Sequence, residues 1–140
     1  MITAIDTNIL LDILVPNKEF VQTAISILEK ATSEGQLIIC DLVYAEICAH
    51  FEVQADCDEF LSALEIRVEP ISREAQFLAS RVWRAYRKQG GPRTRILPDF
   101  LIGAHAKLHA EQLVSRDRGF YRSMFPDLRL IDPAALQPSK

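Results

Sequence analysis

The chain has 140 residues, 49% of them hydrophobic and 25% charged, with a formal net charge of −3 at pH 7. That length suits one domain, residues 1–140, with a single substantial core, and the balance is that of a globular chain, not a disordered or fibrous one. No run nears the roughly 18 consecutive apolar residues of a membrane span, which argues against a spanning helix.

The chain opens on a short apolar run, Ile2–Ile5, whose partly β-branched residues suit a covered strand. No Lys or Arg precedes Lys18, while Asp6 and Asp12 do, so this segment does not read as a secretory signal. Phe20, Val21, Ala24, Ile25, Leu28 and Ala31 recur at helical spacing, with Gly35 placed as a C-cap. Leu37–Cys40 reads as a second strand. Asp41 can cap a helix reaching about Phe51, and Asp56 another reaching about Leu64. After a third strand at Arg67–Ile71, Ser72 caps a long helix that Gly90-Gly91-Pro92 stops. A last long helix begins near Pro98-Asp99, with Pro in its first turn, and runs to about Ala110. Strands at Gln112–Ser115 and Leu128–Ile131 follow. Strands alternating with helices predict parallel pairing through right-handed crossovers, hence a three-layer α/β/α sandwich. Functional groups in such sheets gather beyond the C-terminal ends of the strands. Cys40, Cys48 and Cys57 are odd in number and show no Cys-x-x-Cys spacing, so they read as reduced core residues of a cytoplasmic protein.

Charge is unevenly spread. Asp41 to Glu69 holds eight acidic residues and one cation, Arg67, whereas Ala75 to Pro98 holds no acid but Arg81, Arg84, Arg87, Lys88, Arg93 and Arg95. Local field, not net charge, governs attraction of a polyanion. A solvated helix face explains the run from Arg81 to Lys88 equally well.

Four carboxylates stand out. Asp6 ends the first strand and Asp117 follows the fourth, which puts both at one edge of the sheet; each could instead serve locally, as a helix cap or in an Asx-turn. Glu46 lies in "LVYAEICAHF", a helix apolar on nearly every side, in a stripe with Leu42, Ala49 and Val53 that is expected to face inward. Asp99 opens the equally apolar "DFLIGAHA". Carboxylates converging at one edge cannot all stay ionised without a counter-ion, and oxygen-only ligation suits Mg²⁺ or Mn²⁺.

In order, "AIDTNILLD", "LVYAEI" and "ILPDFLIGAHAKLHAEQLVSRDRGF" resemble the PIN-domain nucleases, and the size resembles their VapC toxin branch. The resemblance spans essentially the whole chain. It implies a five-stranded parallel sheet between helices, Mg²⁺- or Mn²⁺-dependent endoribonuclease activity, a cognate antitoxin and commonly a homodimer. By position, Asp6, Glu46, Asp99 and Asp117 match the family's metal-binding acids. Thr7, Asn8 and Ser115 fit the polar residues that orient such carboxylates. Ser115 stands where Thr is commoner, and the hydroxyl is kept. Arg84, Arg93, Arg95 and Arg116 are candidates to hold an RNA backbone.

Other readings fit less well. A phosphatase opening on Asp-x-Asp would lack its general acid, since Asn8 stands there. A zinc enzyme built on His105 and His109 would lack the Glu of His-Glu-x-x-His and an evident third ligand. His50 is expected in the core or beside the metal ligands. A PIN-like module that binds RNA or protein without cutting, and a structure-specific DNA nuclease of the same superfamily, remain as alternatives. The segment from Glu46 to Leu64 could be a dimer or antitoxin surface, or simply an exposed acidic face.

Overall fold

The computed structural model describes residues 1–91 and 96–136. Its centre is β1 (Ile2–Ile5), where Thr3, Ala4 and Ile5 are buried. β2 (Gln36–Ile39) and β4 (Gln112–Val114) pair with β1 on either side. β3 (Ile66–Val68) and β5 (Leu130–Ile131) complete the sheet, which is parallel throughout in the order β3-β2-β1-β4-β5. β1, β2 and β4 are almost uniformly buried, the pattern of strands covered on both faces.

The connections carry seven helices among the described residues. α1 (Thr7–Leu14) and α2 (Val21–Glu34) link β1 to β2, and α3 (Asp41–Cys48) and α4 (Gln54–Ala63) link β2 to β3. α5 (Arg73–Lys88) and α6 (Leu97–His109) lead to β4, and α7 (Arg118–Met124) leads to β5. A 3₁₀ turn, Pro133–Leu136, follows. This is the expected α/β/α architecture with a five-stranded parallel sheet. Large apolar side chains such as Ile5, Ile9, Ile38, Phe100 and Leu113 are at most 1% exposed, each contributing about 1.5–3 kcal/mol of burial.

Ser72 caps α5 as expected, its hydroxyl accepting from Ala75 N at 3.1 Å. Two expected caps are corrected. Cys40, not Asp41, precedes α3, and the Asp41 carboxylate accepts instead from Ile71 N at 3.2 Å. Val53, not Asp56, precedes α4. Both acids sit in the first turn, where the helix dipole favours a negative charge as readily as a cap does. α3 also stops at Cys48, short of Phe51. Strand bounds differ at their ends, β3 and β5 being shorter than expected, and α7 was not anticipated.

Gly103, in the middle of α6, lets the Phe125 ring lie against the helix backbone. A Cβ there would be 2.3 Å from the ring.

β1 is the point of reversal in this topology. The chain leaves it toward β2 on one side and reaches β4 on the other. Crevices beyond the C-terminal ends of strands form at such switch points.

Candidate active site

Asp6 leaves β1 in extended conformation and starts α1, so its carboxyl group is delivered to the switch point between β1 and β4. It is 6% exposed. One oxygen accepts from Thr7 N at 2.7 Å; the other accepts from the Ser115 hydroxyl at 2.7 Å and from the Tyr121 hydroxyl at 3.1 Å. All three donors are neutral. Burial, with Glu46 nearby, raises the Asp6 pKa above the ordinary carboxylate value, although the three hydrogen bonds pull it down.

The other three acids are connected to this carboxylate through neighbours they share. Glu46 is linked through Thr7, whose hydroxyl donates to it at 2.9 Å. Asp117 is linked through Ser115, whose Oγ accepts from Asp117 N at 2.9 Å. Asp99 opens α6, where one of its oxygens accepts from Ile96 N at 3.3 Å. Deep burial, reinforced by Asp6, Asp99 and Asp117, pushes the Tyr121 hydroxyl far above its ordinary range, so it stays protonated and donates. Asn8 ties the two walls of the crevice: its amide nitrogen donates to Ser115 Oγ at 3.4 Å and its oxygen accepts from Arg116 N at 3.3 Å.

Glu46 corrects one expectation. It is exposed, as are Ala49 and Val53, and the buried stripe of α3 is Val43 and Ile47. In so apolar a helix several stripes satisfy the same periodicity, and the one that packs leaves Glu46 at the rim of the crevice. His50 is exposed beyond the end of α3, not in the core.

Tyr121 was not legible in the sequence. Within "GFYRSMF" it resembles any core aromatic, and its hydroxyl gains meaning only because Asp6 lies opposite.

The four acids offer oxygen donors alone, the donor set of a hard divalent cation. A buried carboxylate with no cationic partner among its hydrogen bonds, and with a second acid beside it, is an arrangement that such an ion relieves. Among the described residues, no three His, Cys, Asp or Glu side chains form a closed ligand set in the side-chain positions seen here. The residues present therefore fit a metal in kind, with Thr7 and Tyr121 interleaved among them.

The arginines divide. Arg84 lines a groove of about 630 Å³ on α5 with Ser80, Arg81, Trp83, Arg87 and Lys88. Arg87 lies 5.0 Å over the Trp83 ring, and Arg81 4.6 Å over Phe77. Arg116 is engaged elsewhere, gripping Asp12 at 2.8 and 3.0 Å and stacking 4.0 Å over Phe20. Arg93 and Arg95 lie outside the described residues. His105 is buried and His109 bonds the Ser72 hydroxyl at 2.8 Å, so neither is set out as a zinc ligand.

The PIN domain family model matches residues 3–125. Comparison with curated proteins gives no match. Among solved structures, the chain is similar to VapBC2 from Rickettsia felis bound to a DNA fragment from their promoter, at 24% identity and TM-score 0.72 over 94% of this chain and 98% of that one. It is also similar to VapBC-1 from nontypeable Haemophilus influenzae, at 20% identity and TM-score 0.70, covering 96% and 99% of the two chains. A toxin-antitoxin complex from Klebsiella pneumoniae matches at 21% identity and TM-score 0.65, covering 94% and 97%. At these identities the likeness speaks for the fold.

Proposed function

The chain belongs to the PIN domain family, and on that premise we propose that it is a Mg²⁺- or Mn²⁺-dependent endoribonuclease, the toxin of a toxin–antitoxin pair. The observation that carries this reading is Asp6, a buried carboxylate at the switch point bonded only to neutral donors, with Glu46, Asp99 and Asp117 around it.

Asp6, Glu46, Asp99 and Asp117 would hold the ion. Bound there, a divalent cation supplies Lewis acidity for hydrolysing a phosphodiester bond. The protein's own residues fix where that happens. Thr7, Ser115 and Tyr121 hold Asp6, Thr7 also holds Glu46, and Asn8 and Ser115 keep the Asp117 loop against α1. The basic groove on α5 suits the phosphates of a single strand, and Trp83 offers a ring on which a base can stack. With water as nucleophile, the products carry a 5′-phosphate and a 3′-hydroxyl.

An antitoxin partner and a homodimer belong to the same proposal, as do a single domain over residues 1–140 and a cytoplasmic location. The partner is supported by the toxin–antitoxin assemblies among the similar structures. No described helix is long and apolar enough to cross a membrane.

The test is cleavage of total cellular RNA by purified, antitoxin-free protein in Mg²⁺, in Mn²⁺ and in EDTA, beside Asp99→Asn, with cut sites mapped by sequencing. Discrete metal-dependent cuts lost in the variant support the proposal. Absence of cutting by folded protein in either metal overturns it in favour of a binding module, and cuts confined to DNA favour the DNA-directed alternative.

A further inference from the structure

Cys48 and Cys57 take no part in the acid cluster, yet they face each other. Cys48 is the last residue of α3 and Cys57 stands in the first turns of α4, and their sulfurs are 3.2 Å apart. Cys57 is 0% exposed and Cys48 is half-buried, and both border a cleft of about 340 Å³ with Tyr44, Phe51, Val53 and Gln54. The Cys48 sulfur is therefore the more accessible of the two, and the Cys57 sulfur lies against it. Reaching disulfide length requires the sulfurs to close by only about 1 Å. Cys40, the third cysteine, is buried beneath the start of α3 and is not part of this pair.

We propose that Cys48 and Cys57 form a modification site, a dithiol that a hydroperoxide oxidises to an intramolecular disulfide joining α3 to α4. Cys48 sulfur attacks the terminal oxygen of the peroxide. The O–O bond breaks, and the alcohol or water leaves with the thiol proton, giving Cys48 sulfenic acid. Cys57 sulfur then attacks Cys48 sulfur, and the sulfenic oxygen departs as water with the Cys57 proton. Two thiols lose two electrons and two protons, and the peroxide is reduced. Cys48 is the more exposed of the two sulfurs, so it is the one that meets the peroxide first.

The product would tie α4 to the helix that carries Glu46, two residues from Cys48. A short closed loop of this kind restricts the unfolded chain, so the oxidised protein should melt several degrees higher than the reduced one.

The experiment uses the full chain, reduced, freed of reductant and exposed to hydrogen peroxide. Alkylatable thiols should fall from the three of the sequence to one. The intact mass should drop by two hydrogens, peptide mapping should link Cys48 to Cys57, and dithiothreitol should reverse all three. In Cys57→Ala, Cys48 should accumulate as a sulfenic acid trapped by a 1,3-dione. In Cys48→Ser, Cys57 should stay reduced. Three surviving thiols in the wild-type protein, oxygen added to Cys48 without a link, or a disulfide between two chains would each overturn the proposal.

Discussion

Two aspartates stand six residues apart at the start of the chain, both almost fully buried, and they are treated in opposite ways. Asp12, 5% exposed, receives a two-pronged grip from Arg116, whose guanidinium is itself stacked over Phe20. Asp6, 6% exposed, receives an amide and two hydroxyls, with acids for neighbours. Burying an anion is tolerable when a cation or a full set of donors accompanies it. Asp12 has its cation built into the chain. Asp6 has donors but no cationic side chain beside it. The two carboxylates are thus told apart by the charge of their partners, not by depth.

The largest effect is expected at the acid whose partners are all neutral. Asp6→Asn should lower metal-dependent RNA cleavage by at least about 10²-fold. Without metal it should also raise the melting temperature, because it removes a buried charge that lacks a cation. Adding Mg²⁺ should stabilise the wild-type protein but not the variant, closing that gap. Cleavage by Asp6→Asn at the wild-type rate would break the contrast with Asp12.

Asp12→Ala should behave in the reverse sense. Chemical denaturation should show a loss of about 1–3 kcal/mol, discounted from a fully buried pair because Arg116 is one-third exposed. Metal stabilisation should persist while the protein remains folded. Ser115→Ala, which removes the hydroxyl shared by Asp6, Asn8 and Asp117, should weaken metal affinity about 10–100-fold, read by isothermal titration. Loss of stability without loss of metal affinity would place Ser115 with Asp12 instead of Asp6.

A smaller effect is expected on α5. Trp83 is the sole tryptophan of the chain, so its fluorescence reports directly on the basic groove. Single-stranded RNA should quench it in the Asp99→Asn background. Arg84→Glu should weaken that binding several-fold and flatten its salt dependence. RNA that leaves Trp83 unchanged would remove this groove from the substrate path.

The smallest concerns His105. Burial, with His109 beside it, lowers its pKa below the ordinary 6.5, and its Nε2 is the one buried side-chain polar atom without a partner among the described residues. Below pH 6.5 the unfolded chain takes up a proton that the folded chain resists. This contribution to stability is therefore complete above that pH and shrinks as pH falls toward the folded value. His105→Leu should lessen the drop in melting temperature between pH 7.5 and pH 5.

The four acids stood out in the sequence because three interrupt apolar segments and Asp117 follows a strand at the same edge, although Asp6 and Asp99 also fill ordinary capping roles. The parallel sheet was legible from alternation alone. Elsewhere the same patterns misled. The apolar surplus of α3 left more than one stripe eligible to face the core, and the packed one put Glu46 at the rim. Asp12 reads as an ordinary polar position of an amphipathic helix until Arg116, 104 residues later, folds over it. Tyr121 and the helix around it escaped notice because a seven-residue helix has too few turns to establish a period.

The Asp6 amide donates to Val114 O at 3.0 Å, at the centre of the sheet and beside Ile5 and Leu113, which are essentially unexposed. Such an amide trades its hydrogen for deuterium only when the whole domain comes apart. Glu46 rides on an eight-residue helix with an exposed flank, which can fray on its own. Deuterium labelling should therefore find, within one carboxylate cluster, a member as durable as the fold and another that comes and goes.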